Sequence, residues 1–183
     1  MVYRSSLQVA VALALSVATT AAAQESRFTQ PQAEHRLLER LAGEWQFERQ
    51  TPPEAGSRPR ILGTGAISAE MMGAFFVASR WAGNVYGADY EALQAIGYDV
   101  EQGKYTGYWL DSFMSFRWEL TGIVDAATQE LWVTTRGPAP AGGTTGFRER
   151  YRFDSADSIT IIGEMQRDES WVAITHTRLT RKR

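Results

Sequence analysis

The sequence contains no cysteine and only two histidines. Without cysteine the chain can form no disulfide, offer no thiolate to a metal and carry no lipid on a cysteine. The formal net charge is -2, so the sequence lacks the basic surplus typical of nucleic-acid binding and predicts no nucleic-acid partner. Beyond residue 23 the sequence also lacks an apolar run of about 20 residues, the length that a membrane-spanning helix needs, and we predict no transmembrane segment in the mature chain.

The first 23 residues have the pattern of a secretory signal peptide. Arg4 gives a positive start, residues 7–18 are mainly apolar, and Ala21 and Ala23 form a small-x-small site before Gln24. The alternative, a membrane anchor, would need a longer apolar run. We therefore predict cleavage near Ala23–Gln24 and a bacterial periplasmic or secreted protein, which agrees with a chain that folds without disulfides.

A single helix is predicted, at the start of the mature chain. Leucines at helical spacing follow Pro31, a residue that suits a first helical turn, and the pattern continues to Ala42. Gly43 then suits the left-handed position that ends a helix. The sequence therefore predicts a helix over residues 31–42.

From Trp45 onward the hydrophobic period changes to two, which is typical of β-strands. Trp45 and Phe47 alternate with polar residues, and about ten short strands follow, with turn-rich segments such as 83–89 between them. Every connection is short enough to join antiparallel neighbours. A meander of that length leaves two unpaired edge strands unless its first and last strands pair to form a closed barrel. We predict an all-β, antiparallel, up-and-down barrel of about ten strands with one short N-terminal helix, forming a single domain over residues 24–183.

An ordered series of motifs runs across nearly the whole mature chain. The motifs are His35-x-x-Leu38-x-x-Leu41-x-Gly43-x-Trp45, Met72-Gly73-x-Phe75-Phe76, Gly97-Tyr98-Asp99 with Lys104-Tyr105, Trp109-Leu110-Asp111-Ser112, Gly122-x-x-Asp125 and Leu131. This series resembles the bacterial exported family known as domain of unknown function fifteen seventy-nine, a group of calycin or lipocalin-like barrels. The resemblance implies that Gly43 permits a close approach and that Trp45 packs across the closed end of the barrel. It implies a fold and no activity.

Two candidate site residues end one predicted strand. Asp111, followed by Ser112, could place a carboxylate at the barrel mouth as a ligand contact or a base. The alternative is turn chemistry, because Asp and Ser side chains bond their own backbone at strand ends. Trp109 precedes them and could stack on a ligand or belong to the core.

The last strand supplies the other two candidates, His176 and Arg178. Alternation puts Val172 and Ile174 on the same face as these two residues but does not decide which face lies inside. On an inward face Arg178 would need an anion, as the lumen arginine of fatty-acid-binding barrels binds a ligand carboxylate. Haem on His176 is an alternative that the resemblance to small haem-binding barrels suggests. On an outward face both residues would be solvated.

Other kinds of site have less support. His35 and Glu39 share a helix face, but a metal site would need further ligands from elsewhere, and no metal is predicted. Arg148, Arg150 and Arg152 alternate along one strand and indicate a solvated face. No Gly-x-Ser-x-Gly motif of a serine hydrolase occurs.

The sequence therefore predicts an exported protein that holds a small apolar or amphipathic ligand in a barrel lumen, with no resident cofactor. Asp111, His176, Arg178 and Trp109 are the candidate ligand contacts. A small-molecule enzyme that uses Asp111, His176 and Arg178 is one alternative. A filled barrel that acts as an interaction module in the envelope is the other.

Overall fold

A computed structural model describes residues 29–183, which comprise one short helix and ten strands. The predicted signal peptide and its cleavage point lie outside the described residues. Gln32–Arg183 form one compact unit. Within it the elements are α1 His35–Glu39, β1 Gly43–Gln50, β2 Ile61–Met72, β3 Phe76–Val85, β4 Ala88–Asp99, β5 Lys104–Asp111, β6 Trp118–Val124, β7 Leu131–Pro138, β8 Thr144–Ser155, β9 Ser158–Arg167 and β10 Ser170–Arg181.

The ten strands close into an antiparallel barrel in which each strand pairs with its neighbours in sequence. The ring is completed where β1 pairs with β10, for example Phe47 opposite Leu179. The predicted up-and-down barrel is confirmed, because period-two alternation recurs in strand after strand. Within the described residues, no helix has the length and apolar character needed to cross a membrane.

Large side chains of β1, β3 and β5 pack against one another inside the barrel. Trp81 of β3 packs against Phe47 of β1, with ring centres 5.3 Å apart, and edge-on against Trp109 of β5 at 5.4 Å. Ile96 and Tyr151 are each only 1% exposed. The strands that carry these residues are therefore held together by burial of their inner faces.

The helix is shorter than its leucine spacing predicts. Only His35–Glu39 is α-helical, while the turns on both sides close through tighter bonds such as His35 N to Gln32 O and Leu41 N to Leu38 O. No side-chain oxygen caps the N-terminus of the helix. The helix is instead tied to the barrel by Tyr105, whose hydroxyl donates to Glu34 O at 2.8 Å. Burial raises the pKa of Tyr105 to about 12, so this hydroxyl remains a donor at neutral pH.

Trp45 closes the barrel end beneath the helix, as the family resemblance implies. Its side chain is 1% exposed, and its indole nitrogen donates to Leu41 O at 3.0 Å. Gly43 has φ of 126°, and a Cβ placed there would lie 2.1 Å from Arg181 Nη1. Glycine is therefore required for its backbone angle, and it also leaves room for the Arg181 guanidinium.

The opposite end of the barrel is bounded by hairpin turns. The predicted loop 83–89 is longer than the observed one, because β3 runs to Val85 and β4 starts at Ala88. Tyr86 and Gly87, with φ of 56° and 81°, form a two-residue turn between them. Each strand thus extends further toward this end than turn-forming residues in the sequence indicate.

Candidate functional site

A cavity of about 320 Å³ occupies the lumen toward the end opposite α1. Its rim includes Tyr86, Phe113 and Met114, which lie in the hairpin turns at that end. Those three side chains are between 41% and 63% exposed, so the rim is apolar and faces solvent. The cavity is therefore an open pocket of a size that suits a small molecule.

The cavity wall formed by β5 to β8 is mainly apolar. Trp109, Leu120, Val133 and Phe147 line it. Leu120 and Val133 are 9% and 3% exposed, because their neighbours in adjacent strands cover them. This wall offers a hydrophobic surface for the apolar part of a ligand.

Trp118 completes the apolar wall by lying over a glycine. A Cβ on Gly137 would come within 1.9 Å of the Trp118 ring, so only glycine leaves room for the indole. The ring also packs against Phe116 and Phe147, with centres 4.8 and 5.7 Å apart. Its nitrogen is buried without a hydrogen-bond partner among the described residues, as is the hydroxyl oxygen of Thr135.

A chain of hydrogen bonds crosses the deeper part of the lumen. Gln94 of β4 donates to the Tyr151 hydroxyl at 3.0 Å, and that hydroxyl donates to Glu149 Oε2 at 2.7 Å. Burial, with Glu149 nearby, raises the pKa of Tyr151 well above its usual value. Tyr151 therefore stays protonated and fixes the Glu149 carboxylate at the cavity wall.

Arg49 of β1 contributes a positive charge to the same cavity. Its Nε donates to Thr177 Oγ1 at 3.3 Å, and its guanidinium carbon lies 6.0 Å from the centre of the Tyr90 ring. Burial raises the pKa of Tyr90, and the charge of Arg49 opposes that rise. Arg49 was not among the candidates from the sequence, although it continues the inward alternation of Trp45 and Phe47.

Asp111, a predicted candidate, lies at the mouth of the cavity and is bound to its own turn. Its Oδ1 accepts from the Phe113 backbone at 2.8 Å, and its Oδ2 accepts from Trp109 Nε1 at 2.9 Å. Ser112 accepts from the Glu91 backbone at 3.1 Å. The turn chemistry of the pair is present, and Asp111 also lines the cavity together with Trp109.

His176 and Arg178 lie on the outer face of β10. Thr177 and Leu179, 2% and 3% exposed, take the inward positions between and beyond them. Opposite on β1, Gln50 pairs with His176 and Glu48 with Arg178. The four predicted residues thus do not form one site, since only Trp109 and Asp111 reach the cavity. A ligand contact by any of the four stays a prediction.

A register shift between Ala173 and Thr175 interrupts the alternation predicted for the whole of β10. Beyond this bulge the faces exchange, so Trp171 lies outside over Arg148 while Thr175 and Thr177 point inward. Ile174, the extra residue, lines the cavity. Strict alternation puts Val172 on the same face as His176, and this part of the prediction is wrong.

The outward position of His176 bears on the predicted alternatives. A haem bound by His176 would lie outside the barrel wall, so the lumen does not fit haem at this residue. The small-molecule enzyme would need Asp111 beside His176 and Arg178, and the barrel wall separates them. Among residues 29–183, no group of three potential ligands such as histidine, aspartate or glutamate is placed to hold a metal.

The arginines of β8 form an ion-pair cluster on the outer face. Arg148 Nε lies 2.6 Å from Glu164, and Arg150 Nη1 lies 3.1 Å from Glu130. Trp132 and Trp171 cover Arg148, with its guanidinium carbon 4.4 and 4.5 Å from their ring centres. Arg148 and Arg150 are thus largely covered rather than solvated, with side-chain exposures of 13% and 24%, whereas Arg152 is exposed.

One family model matches the chain, from residue 30 to residue 181. The matching family is described as "Protein of unknown function (DUF1579)". The match spans most of the sequence, and the chain belongs to this family. No curated protein is significantly similar to the chain.

Solved structures with the same fold show a calycin-like barrel. The crystal structure of Rv2717c from M. tuberculosis has a TM-score of 0.57 and 13% identity, covering 84% of this chain and all of that one. The S-type phycobiliprotein lyase CPES from Guillardia theta has a TM-score of 0.50 and 14% identity, covering 83% of this chain and 94% of that one. At these identities the likeness establishes the fold alone.

Proposed function

We propose that this DUF1579 protein is an exported binding protein that holds a small amphipathic molecule in the barrel lumen. The observation that carries the proposal is the cavity of about 320 Å³, which opens at the end opposite α1. An apolar wall that includes Leu120 and Val133 faces polar groups that include Arg49 and Gln94. Such a division suits a ligand with an apolar body and a polar group.

The same cavity argues against the filled barrel among the alternatives. A lumen packed by its own side chains would leave no volume of this size, because interiors normally contain few voids larger than a water molecule. One protein of similar fold is named as a phycobiliprotein lyase. That name supports the handling of another molecule by such a barrel and is also compatible with an enzyme, the second candidate.

Native mass spectrometry of the protein purified without refolding tests the binding function. We expect excess mass that is lost on denaturation. The variant Val133→Phe, which places a larger side chain in the cavity wall, should lose this mass. Ile123→Phe is the matched control, because Ile123 is 54% exposed on the same region of the barrel. A bare mass for the unmodified protein, together with no calorimetric binding of decanol, decanoate or decylammonium, would reject the proposal.

Export is the second part of the proposal and has its own test. The exported protein should begin at Gln24, since the segment before it has the charge and apolar pattern of a signal peptide. Intact-mass measurement of the protein recovered from the periplasm or medium of a bacterial host gives the N-terminus. An exported chain that retains Met1 would contradict the cleavage, and retention of all protein in the cytoplasm would contradict export.

A further inference from the structure

Arg49 differs from the other partly buried arginines of the barrel. Arg148, Arg150 and Arg181 each lie within 4.0 Å of a carboxylate oxygen. Among the ion pairs within the described part of the chain, none includes Arg49, although its side chain is half-buried and lines the cavity. A guanidinium removed from water needs a negative partner or several acceptors to offset the loss of hydration.

The cavity's carboxylates already accept hydrogen bonds from the protein. Asp111 accepts from Trp109 and from the Phe113 backbone, and Glu149 accepts from Tyr151. Arg49 has five N–H donors; its hydrogen bond from Nε to Thr177 is long at 3.3 Å, and it also interacts with the Tyr90 side chain. Arg49 and the indole nitrogen of Trp118, which has no partner within the described residues, are therefore donors in the cavity that a ligand can still engage.

Resting on the proposed function, we infer that the ligand carries an anionic oxygen group, a carboxylate or an equivalent, that binds the guanidinium of Arg49. Arg49 lies on β1, while Leu120 and Val133 lie on β6 and β7, about half-way around the ring of strands. A ligand with its anionic group at Arg49 extends its apolar body toward that opposite wall. Paired N–H donors of a guanidinium match the two oxygens of a carboxylate.

Glu149 makes the inference directional. Glu149 lines the same cavity as Arg49, and its charge raises the pKa of Tyr90 and Tyr151 whereas the charge of Arg49 lowers both. Arg49 attracts an anionic ligand group and Glu149 repels it. Opposite effects of removing the two charges are therefore expected for an anionic probe, and reversed effects for a cationic probe.

The test uses three probes of one chain length, decanoate, decylammonium and decanol, titrated by calorimetry into the full folded protein. Decanoate should bind tightest. Arg49→Gln should weaken decanoate by about tenfold, the factor expected from loss of a hydrogen bond to a charged group, and should leave decanol unchanged. Arg49→Lys, which keeps the charge without the planar fork, should give an intermediate loss, and Glu149→Gln should strengthen decanoate.

Arg80→Gln is the matched control, since Arg80 is an exposed arginine on the outer face of β3, and it should leave all three affinities unchanged. Two results overturn the anionic ligand and leave the proposed function standing. In the first, decanol binds and decanoate binds no more tightly than decanol. In the second, decanoate binds Arg49→Gln as tightly as it binds the unmodified protein. Tightest binding of decylammonium overturns the anionic ligand as well. Binding of none of the three probes overturns both the inference and the proposed function.

Discussion

The guanidinium carbon of Arg181, near the end of β10, lies 4.0 Å from the centre of the Trp45 ring at the start of β1. Arg181 also donates through Nη1 to Ala42 O at 2.9 Å and through Nε to Ala156 O at 3.0 Å. Three segments distant in sequence thus meet over one indole. Trp45 is therefore the centre of the closed end of the barrel.

Trp45→Ala should destabilise the fold by about 3–5 kcal/mol, as truncation of buried aromatic residues does. The substitution removes a ring that is 1% exposed, its bond to Leu41 and its contact with Arg181. Urea denaturation measures the change. Tyr86→Ala, at a site 63% exposed, is the control and should stay within about 1 kcal/mol. Equal effects for the two variants would refute a central role for Trp45.

Glu164→Gln should destabilise the barrel by about 3 kcal/mol, because it leaves Arg148 and Arg150 beside an uncharged group in a covered position. Glu164 is 8% exposed and lies 2.6 and 3.4 Å from the two guanidinium groups. Chemical denaturation at moderate salt is the measurement. Glu119→Gln, in an ion pair with Arg117 that solvent reaches, should cost less than about 1 kcal/mol. Similar losses of stability for both variants would mean that burial beneath Trp132 and Trp171 does not strengthen the ion pairs of Glu164.

Gly137→Ala should cost about 1–3 kcal/mol through overpacking. The new methyl group would meet the Trp118 ring and push it into the cavity or against Phe147. Near-ultraviolet circular dichroism reports the displaced indole, and denaturation reports the cost. Arg136→Ala, at an exposed position on the same strand, should change neither. An unchanged spectrum for Gly137→Ala would contradict the close contact.

Removal of His176 should flatten part of the pH dependence of stability. Burial, followed by the charges of Arg152, Arg178 and Arg150, lowers the pKa of His176, while Asp154 opposes the shift. The unfolded chain therefore takes up the proton first. Stability is full above the unfolded pKa of about 6.5 and falls as the pH drops below it.

The comparison for this prediction is the unfolding free energy of the unmodified protein and of His176→Asn, measured at intervals between pH 8 and pH 5. The difference between the two should change in favour of the variant as the pH falls. Parallel curves over the whole interval would show that burial and the surrounding arginines do not lower the pKa of His176.

The barrel itself could be predicted because its determinants are local and repeated. Alternation, short connections and turn residues recur along the chain, and closure follows from the need to pair both edge strands. The helix could be predicted in place but not in length. Leucine spacing indicates which face is buried, whereas the end of regular α-helix depends on contacts such as the bond from Tyr105 to Glu34.

The site could be predicted only in part, and the reasons are particular. Asp111 and Trp109 end a clear strand, and their position at the cavity mouth agrees with one of the interpretations that the sequence left open. The inward face of β10 did not, because a bulge of one residue near Ile174 exchanges the faces and leaves no mark in the hydrophobic pattern. Arg49 was detectable, since it continues the alternation of Trp45 and Phe47, but a charged residue before a loop is ordinarily exposed.

The pairing of β1 with β10 determines when this protein can finish folding. Arg49 and Thr177, which meet in that seam, are 128 residues apart, and Arg181 and Ala42 are 139 apart. Contacts of such sequence separation form late and slowly, because the chain between them must be ordered first. The first strand therefore keeps one edge unpaired until the ribosome has released almost the entire chain. A nascent chain that cannot close early stays unfolded for longer, and the export proposed above would require an unfolded chain at the membrane.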